Sequence, residues 1–275
     1  MKRQKNTKSN LLAIAYFVLM LVVSTVAAHA QGDSLATSPL LRTTGPNVLG
    51  AGHLMWSGDI NAYYLHNKAV ETSTSNYTLT GANTGLRWGI GNRAELTLGF
   101  SVLHAAGTFL GDTIPAGNLT LTPSIGARLQ LYEGKGWVPM VTFFSDLTLP
   151  IRKNQIVDSY SETLVEPVIG LQLRSRLGEH FYLDGSIGYA WNRHAPYARG
   201  IDEPLRYSLY LHWLTNERHM VSIGWENHLG HLESTWQVRD NFQLKAQLNI
   251  AAGVAQGGTG VFQIHGLVGF NWMLR

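Results

Sequence analysis

The chain of 275 residues holds eleven histidines and no cysteine, so a search for reactive groups starts with imidazole and hydroxyl pairs. A serine nucleophile needs a base within hydrogen-bond reach. Along one strand that means a spacing of two, because alternate side chains share a face. No His-x-Ser occurs; the nearest pair, His231 and Ser234, is three apart and would point to opposite faces. A lipid-modifying enzyme would need a same-face nucleophile and base that the linear sequence does not offer. His212, His219, His228 and His231 lie scattered without the short spacings of a zinc site, and thiolate ligands are missing. No catalytic residue, metal ligand or cofactor is therefore assigned. Gly81, Gly85, Gly89, Gly91 and Gly99 have no helix following them, so they read as relief of crowding inside a closed sheet and not as a phosphate loop.

The elements that would carry any site are strands. From Ala51 onward hydrophobicity alternates with period two. Leu96, Leu98, Phe100 and Val102 alternate with Glu95, Thr97, Gly99 and Ser101. Phe242, Leu244, Ala246, Leu248 and Ile250 alternate with Gln243, Lys245, Gln247 and Asn249. Twelve such segments are centred near residues 59, 82, 99, 125, 144, 169, 187, 209, 224, 235, 248 and 268. Ten or fourteen strands mark the margin of that count. Tight connections follow the even-numbered segments, as at Gly89-Ile90-Gly91-Asn92 and Asp240-Asn241. Long ones follow the first, third, fifth and seventh: 67–75, 105–117, 151–161 and 193–203. The connection after the ninth is a short exception, and that after the eleventh (253–260) is intermediate.

Composition separates the two all-β alternatives. Charged residues are only 14% of the chain, well under the roughly 25% of soluble domains. A soluble β-sandwich would carry lysine on its solvent face, yet beyond the N-terminus only Lys68, Lys135, Lys153 and Lys245 occur. Aromatic residues such as Trp56, Tyr64, Trp88, Trp191, Trp213, Trp225 and Trp272 fall near strand ends on the apolar face, as an interfacial girdle would. The fold expected is an all-β, up-and-down antiparallel transmembrane β-barrel of about twelve strands, occupying residues 51–275.

The first thirty residues have the layout of a secretory signal peptide: Lys2, Arg3, Lys5 and Lys8, an apolar run from Leu11 to Val26, and Ala28-His29-Ala30 as a cleavage site. Removing the segment leaves 17 basic against 18 acidic residues, so nothing points to nucleic acid as a partner. Residues 31–50 would form an N-terminal periplasmic segment. The expected location is the outer membrane of a Gram-negative bacterium, with membrane lipid and the barrel-insertion machinery as partners.

Strand phase aims a set of charges inward: Asp59, Arg87, Glu95, Arg128, Asp146, Glu166, Arg174, Asp184, Arg206, Glu226 and Lys245. Symmetric pairing of the hairpin about Gly91 sets Arg87 opposite Glu95; pairing about Glu179 sets Arg174 opposite Asp184. Cross-strand opposite charges stabilise a sheet by roughly 0.2–1 kcal/mol. They read either as a charged constriction near the periplasmic end or as staples of a filled barrel. Because the inward charges nearly balance, no strong ion selectivity is implied.

Several stretches resemble the outer-membrane, transporter-like β-barrel family labelled for the meta-pathway of phenol degradation. They are Gly85-Leu86-Arg87-Trp88-Gly89 with Asn92-Arg93-Ala94-Glu95-Leu96, the run Glu133-Gly134-Lys135-Gly136-Trp137-Val138-Pro139 with Leu147-Thr148-Leu149-Pro150, and Asp240-Asn241-Phe242-Gln243-Leu244. The chain departs from that family in closing on Leu274-Arg275 instead of an aromatic residue, and in keeping only Leu41 to Asn47 of its N-terminal acidic segment. The resemblance implies a channel passing small organic molecules, apolar ones included, and brings no catalytic residues. The alternatives are a closed structural or adhesive barrel acting through external loops, and the lipid-modifying enzyme.

Overall fold

The computed structural model describes residues 39–43, 45–68, 74–109, 112–114, 119–134, 138–149, 166–190, 205–226, 229–255 and 259–274. The expected signal peptide, residues 31–38 and most of the long connections lie outside the described residues. Twelve long strands follow one another: β1 (Leu54–Lys68), β2 (Thr74–Gly91), β3 (Ala94–Phe109), β4 (Leu119–Tyr132), β5 (Met140–Thr148), β6 (Glu166–Arg176), β7 (Phe181–Ala190), β8 (Leu205–Asn216), β9 (His219–Glu226), β10 (Leu229–Arg239), β11 (Phe242–Ala255) and β12 (Thr259–Met273). A two-residue strand, Asp112–Thr113, folds back on the end of β3.

Each long strand pairs antiparallel with the next, and β12 returns to β1 through Met55↔Met273 to Asn67↔Val261, so the sheet closes without a free edge. Closure satisfies the main-chain N–H and C=O groups within the wall, which a structure facing hydrocarbon requires. The twelve centres read from the sequence all fall inside these strands.

The faces are inverted relative to a soluble barrel. Ile60, Ile223 and Val268 are more than half exposed on the outside, whereas Thr142, Arg174 and Thr235 are sealed inside. Outward aromatic residues form a band near the turn end, where Trp56 meets Phe270 edge-on at 5.0 Å and Phe181 stacks with Trp213 at 6.2 Å. Trp225 and Tyr189 face outward near the opposite end.

Two details differ from the sequence reading. Arg87 pairs with Thr97 and Glu95 with Gly89, not with each other, because the hairpin turns at Asn92 and Arg93, past Gly91, and the bulge between Gly89 and Gly91 takes back only one position. The β6–β7 hairpin keeps the expected Arg174↔Asp184 register. The alternation of connection lengths holds through β8, and the short connection after β9, residues 227–228, is the exception the sequence shows; the connection after β11, expected to be intermediate at 253–260, is only 256–258. The wall is also uneven, with 18 residues in β2 and 8 in β9.

Candidate functional site

The N-terminal segment enters the barrel at the turn end. Pro39–Arg42 makes one helical turn, which sets Leu40 and Leu41 against Tyr182, Leu214 and Met220. These five side chains form an apolar floor in the mouth of the lumen. Burying two leucines gives the segment its non-directional hold, about 1.5–3 kcal/mol for each fully buried side chain. The sequence places residues 31–50 ahead of the barrel; their described part, from Pro39 to Gly50, runs inside its mouth. The chain then rejoins the wall, with Gly52 N donating to Gly89 O at 2.8 Å. A Cβ at Gly89 would strike the carbonyl oxygens of Leu49 and Gly50, so glycine is what lets the chain pass.

The wall supplies the directional hold. Arg87 donates from Nε to Glu95 Oε1 at 2.7 Å and from Nη2 to Oε2 at 2.9 Å. Its remaining N–H groups reach the segment, Nη1 to Thr43 O at 3.1 Å and Nη2 to Asn47 O at 2.7 Å. Glu95 Oε2 also accepts from Leu49 N at 2.8 Å. Arg128 sits 3.7 Å from Glu95 through Nε and donates from Nη1 to Gly45 O at 3.2 Å.

The second pair repeats the pattern. Arg174 donates from Nε and Nη2 to the two carboxylate oxygens of Asp184, at 2.6 and 2.5 Å, and from Nη1 to Leu41 O at 3.0 Å. His212 Nε2 lies 3.0 Å from the same carboxylate, with its Nδ1 2.7 Å from Ser222 Oγ. Thr142 Oγ1 donates to Pro46 O at 2.5 Å, and Thr43 Oγ1 to Gln243 Oε1 at 2.6 Å.

Each arginine thus turns two N–H groups to a wall carboxylate and at least one more to a segment carbonyl, Arg87 to two of them and Arg174 to one. A bidentate guanidinium–carboxylate pair fixes the fork that makes this division possible. Gly45 is pressed directly on the second pair. Its φ of +58° belongs to the left-handed region, where glycine pays no steric cost. A Cβ there would run into the Asp184 carboxylate and the Arg174 guanidinium.

The other expected inward charges separate by height. Asp146 faces the lumen opposite Gly126, in space that a Cβ on that glycine would need. Higher up, Asp59 accepts from Asn83 Nδ2 at 2.8 Å and Asn61 Nδ2 at 3.2 Å, and Lys245 Nζ approaches it to 4.0 Å. Near the long-loop end Glu226 accepts from Tyr210 OH at 2.8 Å, and Arg206 pairs in register with Gly188. Glu166 opens β6, and its side chain lies outside the described residues. Between these levels His231 and His265 flank Asn249 at 2.9 and 3.1 Å. Among the described residues no three His, Asp or Glu side chains converge as a metal ion would need.

Thr43, Asn47, Thr142, His212 and Gln243 were not read as site residues. The one sequence signal for the segment is Leu40-Leu41 followed by Gly45-Pro46, an apolar pair and a turn within a polar stretch.

No family model matches the chain, and no curated protein matches it in sequence. Solved structures do. An outer membrane channel from Pseudomonas putida F1 is similar in fold, with a TM-score of 0.56 at 12% identity, over 82% of this chain and 97% of that one. The Pseudomonas putida toluene transporter TodX aligns with a TM-score of 0.47 at 7% identity, over 90% of this chain and 97% of that one. What the Pseudomonas putida F1 channel shares with this chain is the fold.

Proposed function

We propose that the protein is an outer-membrane channel for small organic molecules, closed at its periplasmic end by its own N-terminal segment. The observation that carries this reading is the division of labour in Arg87 and Arg174. Both are neutralised by wall carboxylates, so the wall is electrostatically complete without the segment. The segment itself is held by hydrogen bonds to its main chain and by two leucines. Such a contact can be released without leaving a buried charge unpaired.

The inverted faces and the outward aromatic band support insertion in a lipid bilayer. The tight turns, on the barrel plan of short periplasmic turns and longer external loops, make the plugged end periplasmic. Export would use the signal at residues 1–30, and insertion the barrel-insertion machinery. The similar Pseudomonas putida F1 protein is an outer membrane channel, which agrees with passage as the role. The lumen above the segment is lined mainly by hydroxyl, amide, imidazole and carboxylate groups, with the Phe144 ring among them, a surface suited to small solutes that form hydrogen bonds. Apolar solutes, and the phenol-degradation label, rest on the sequence resemblance.

A cysteine-free chain allows a direct test. Thr43→Cys with Gln243→Cys, joined by a short reducible bis-thiol linker, would tether the segment to the wall. In planar bilayers the tethered protein is expected to be silent, and reductant to restore discrete conductance steps. Equal conductance before and after reduction would remove the segment as the gate. Silence in both states, from protein verified as folded, would favour the closed structural barrel.

A further inference from the structure

On the outer face of the wall, three hydroxyl and imidazole side chains form a relay that no single strand's sequence reveals. His219 is the first residue of β9, directly after the turn at Glu217 and Arg218. Its Nε2 lies 2.7 Å from Ser234 Oγ on β10, and its Nδ1 lies 2.8 Å from Thr215 Oγ1 on β8. The neighbours fix the face. Met220 and Ser222 are buried inside, whereas Ile223, Leu232 and Trp236 are exposed outside, so His219 and Ser234 look outward by alternation.

The hydrogen bonds also fix the tautomer. Thr215 Oγ1 has one proton and donates it to His219 O at 3.1 Å. Its lone pair therefore accepts from His219 Nδ1–H, which leaves Nε2 unprotonated and facing the Ser234 hydroxyl. The wall is irregular here for the same reason. The register of β8 and β9 moves from Asn216↔His219 to Leu214↔Met220, so Thr215 is the extra, bulged residue turned onto the imidazole. Bulges re-aim side chains in this way beside functional sites. Trp236 stacks on the imidazole at 5.4 Å and 17° and sets its plane.

We infer that Ser234, His219 and Thr215 form a serine-hydrolase site, acting on carboxylic esters of membrane glycerophospholipids. The substrate class follows from position, and so rests on the membrane-barrel reading above. An outward serine beside an interfacial tryptophan meets the lipid at the level of its headgroups and ester carbonyls. Ser234 Oγ bonds to the ester carbonyl carbon as His219 Nε2 takes its proton. The tetrahedral adduct then breaks the bond to the glycerol oxygen, which receives that proton and leaves as lysophospholipid. Water, deprotonated by the same imidazole, adds to the acyl-serine; the bond to Ser234 Oγ breaks, Oγ takes that proton back from His219, a fatty acid leaves, and nothing is oxidised or reduced. Ser234 and His219 are the catalytic residues, and Thr215 is a positioning residue. Main-chain N–H groups of the wall are committed to the ladder, so the oxyanion lacks the pair of backbone donors that fast hydrolases use. Slow turnover follows, and covalent capture is the sensitive readout.

The test uses the full chain inserted in vesicles of phosphatidylethanolamine and phosphatidylglycerol, with insertion verified by heat-modifiable migration. A fluorophosphonate probe is expected to label Ser234, and fatty acid to accumulate. Ser234→Ala and His219→Asn should lower release by at least about 100-fold, in line with the usual contribution of a positioned base. Ser234→Ala should leave conductance unchanged. Thr215→Val should lower release, and Thr215→Ser should restore it, a recovery that a packing role alone would not require. Inserted protein that neither labels nor releases fatty acid would overturn the proposal, as would full release by Ser234→Ala. Cleavage of a water-soluble p-nitrophenyl ester without lipid hydrolysis would overturn the substrate class. Failure to insert would instead sink the membrane-barrel reading, and with it the access to lipid on which the site depends.

Discussion

At the turn end of the lumen, Arg174 and Asp184 are sealed from solvent beneath the N-terminal segment. At the long-loop end, the Tyr210 hydroxyl donates a hydrogen bond to a Glu226 that faces open water. Both are polar cross-strand contacts on the same inward face, yet their energetic weights differ. A pair sealed from water interacts strongly and leaves a costly orphan if one member is lost. An exposed contact competes with water and contributes little. The ends therefore have separate duties. The sealed end holds the N-terminal segment in place, while the wet end can change without putting the wall at risk.

The sharpest way to break this contrast is at Arg174. Arg174→Met would leave the Asp184 carboxylate buried with only His212 beside it. It is expected to destabilise the barrel by about 3–5 kcal/mol, read as a lower urea midpoint in detergent and a lower temperature of heat-modifiable unfolding. Adding Asp184→Leu should recover most of the loss, because an apolar pair of similar size leaves no charge to desolvate. A loss below about 1 kcal/mol for the single change would mean that water reaches the pair, and the two ends would no longer differ in kind.

The segment itself gives the next effects. Gly45→Val puts a branched side chain at a φ of +58° and into the Arg174–Asp184 pair. It is expected to expel the segment, raising conductance several-fold while the urea midpoint of the wall hardly moves. A fall in wall stability as large as that of Arg174→Met would show that segment and wall fold as one unit. Arg87→Ala combined with Glu95→Ala removes charge and countercharge together. Conductance should rise less than in Gly45→Val, because the leucine floor under Leu40 and Leu41 remains. The heat-modifiable form should survive, and unchanged conductance would take this pair out of the gate.

How much of this was legible in the sequence depends on whether side chains or main chain carry the contact. Strand number was legible because a two-faced wall imposes alternation on every strand. The Arg174↔Asp184 register followed from the β6–β7 turn, whereas Arg87 and Glu95 meet on the diagonal because the β2–β3 hairpin turns at Asn92 and Arg93 and not at Gly91. The segment's seat was not legible. Arg87, Arg128, Arg174 and Thr142 bind its carbonyl oxygens, and every residue has one. The Ser234–His219 contact escaped for a different reason. A search along one strand covers a spacing of two, but these residues are diagonal neighbours on adjacent strands, fifteen positions apart.

The smallest expected effect lies at the wet end, and it completes the comparison. Tyr210→Phe removes the hydroxyl that donates to Glu226 but keeps the ring edge-on to His231 at 4.7 Å. The carboxylate it abandons is exposed and can take a water in exchange, so the change should cost no more than about 0.5 kcal/mol of barrel stability. Conductance with the segment tethered should stay at zero, because nothing at the turn end has changed. In the untethered protein a small shift in conductance would place Glu226 in the solute path, since the freed carboxylate presents its charge to the lumen. A stability loss approaching that of Arg174→Met would instead show the long-loop end to be as dry as the plugged one, and the division of duties between the two ends would fall.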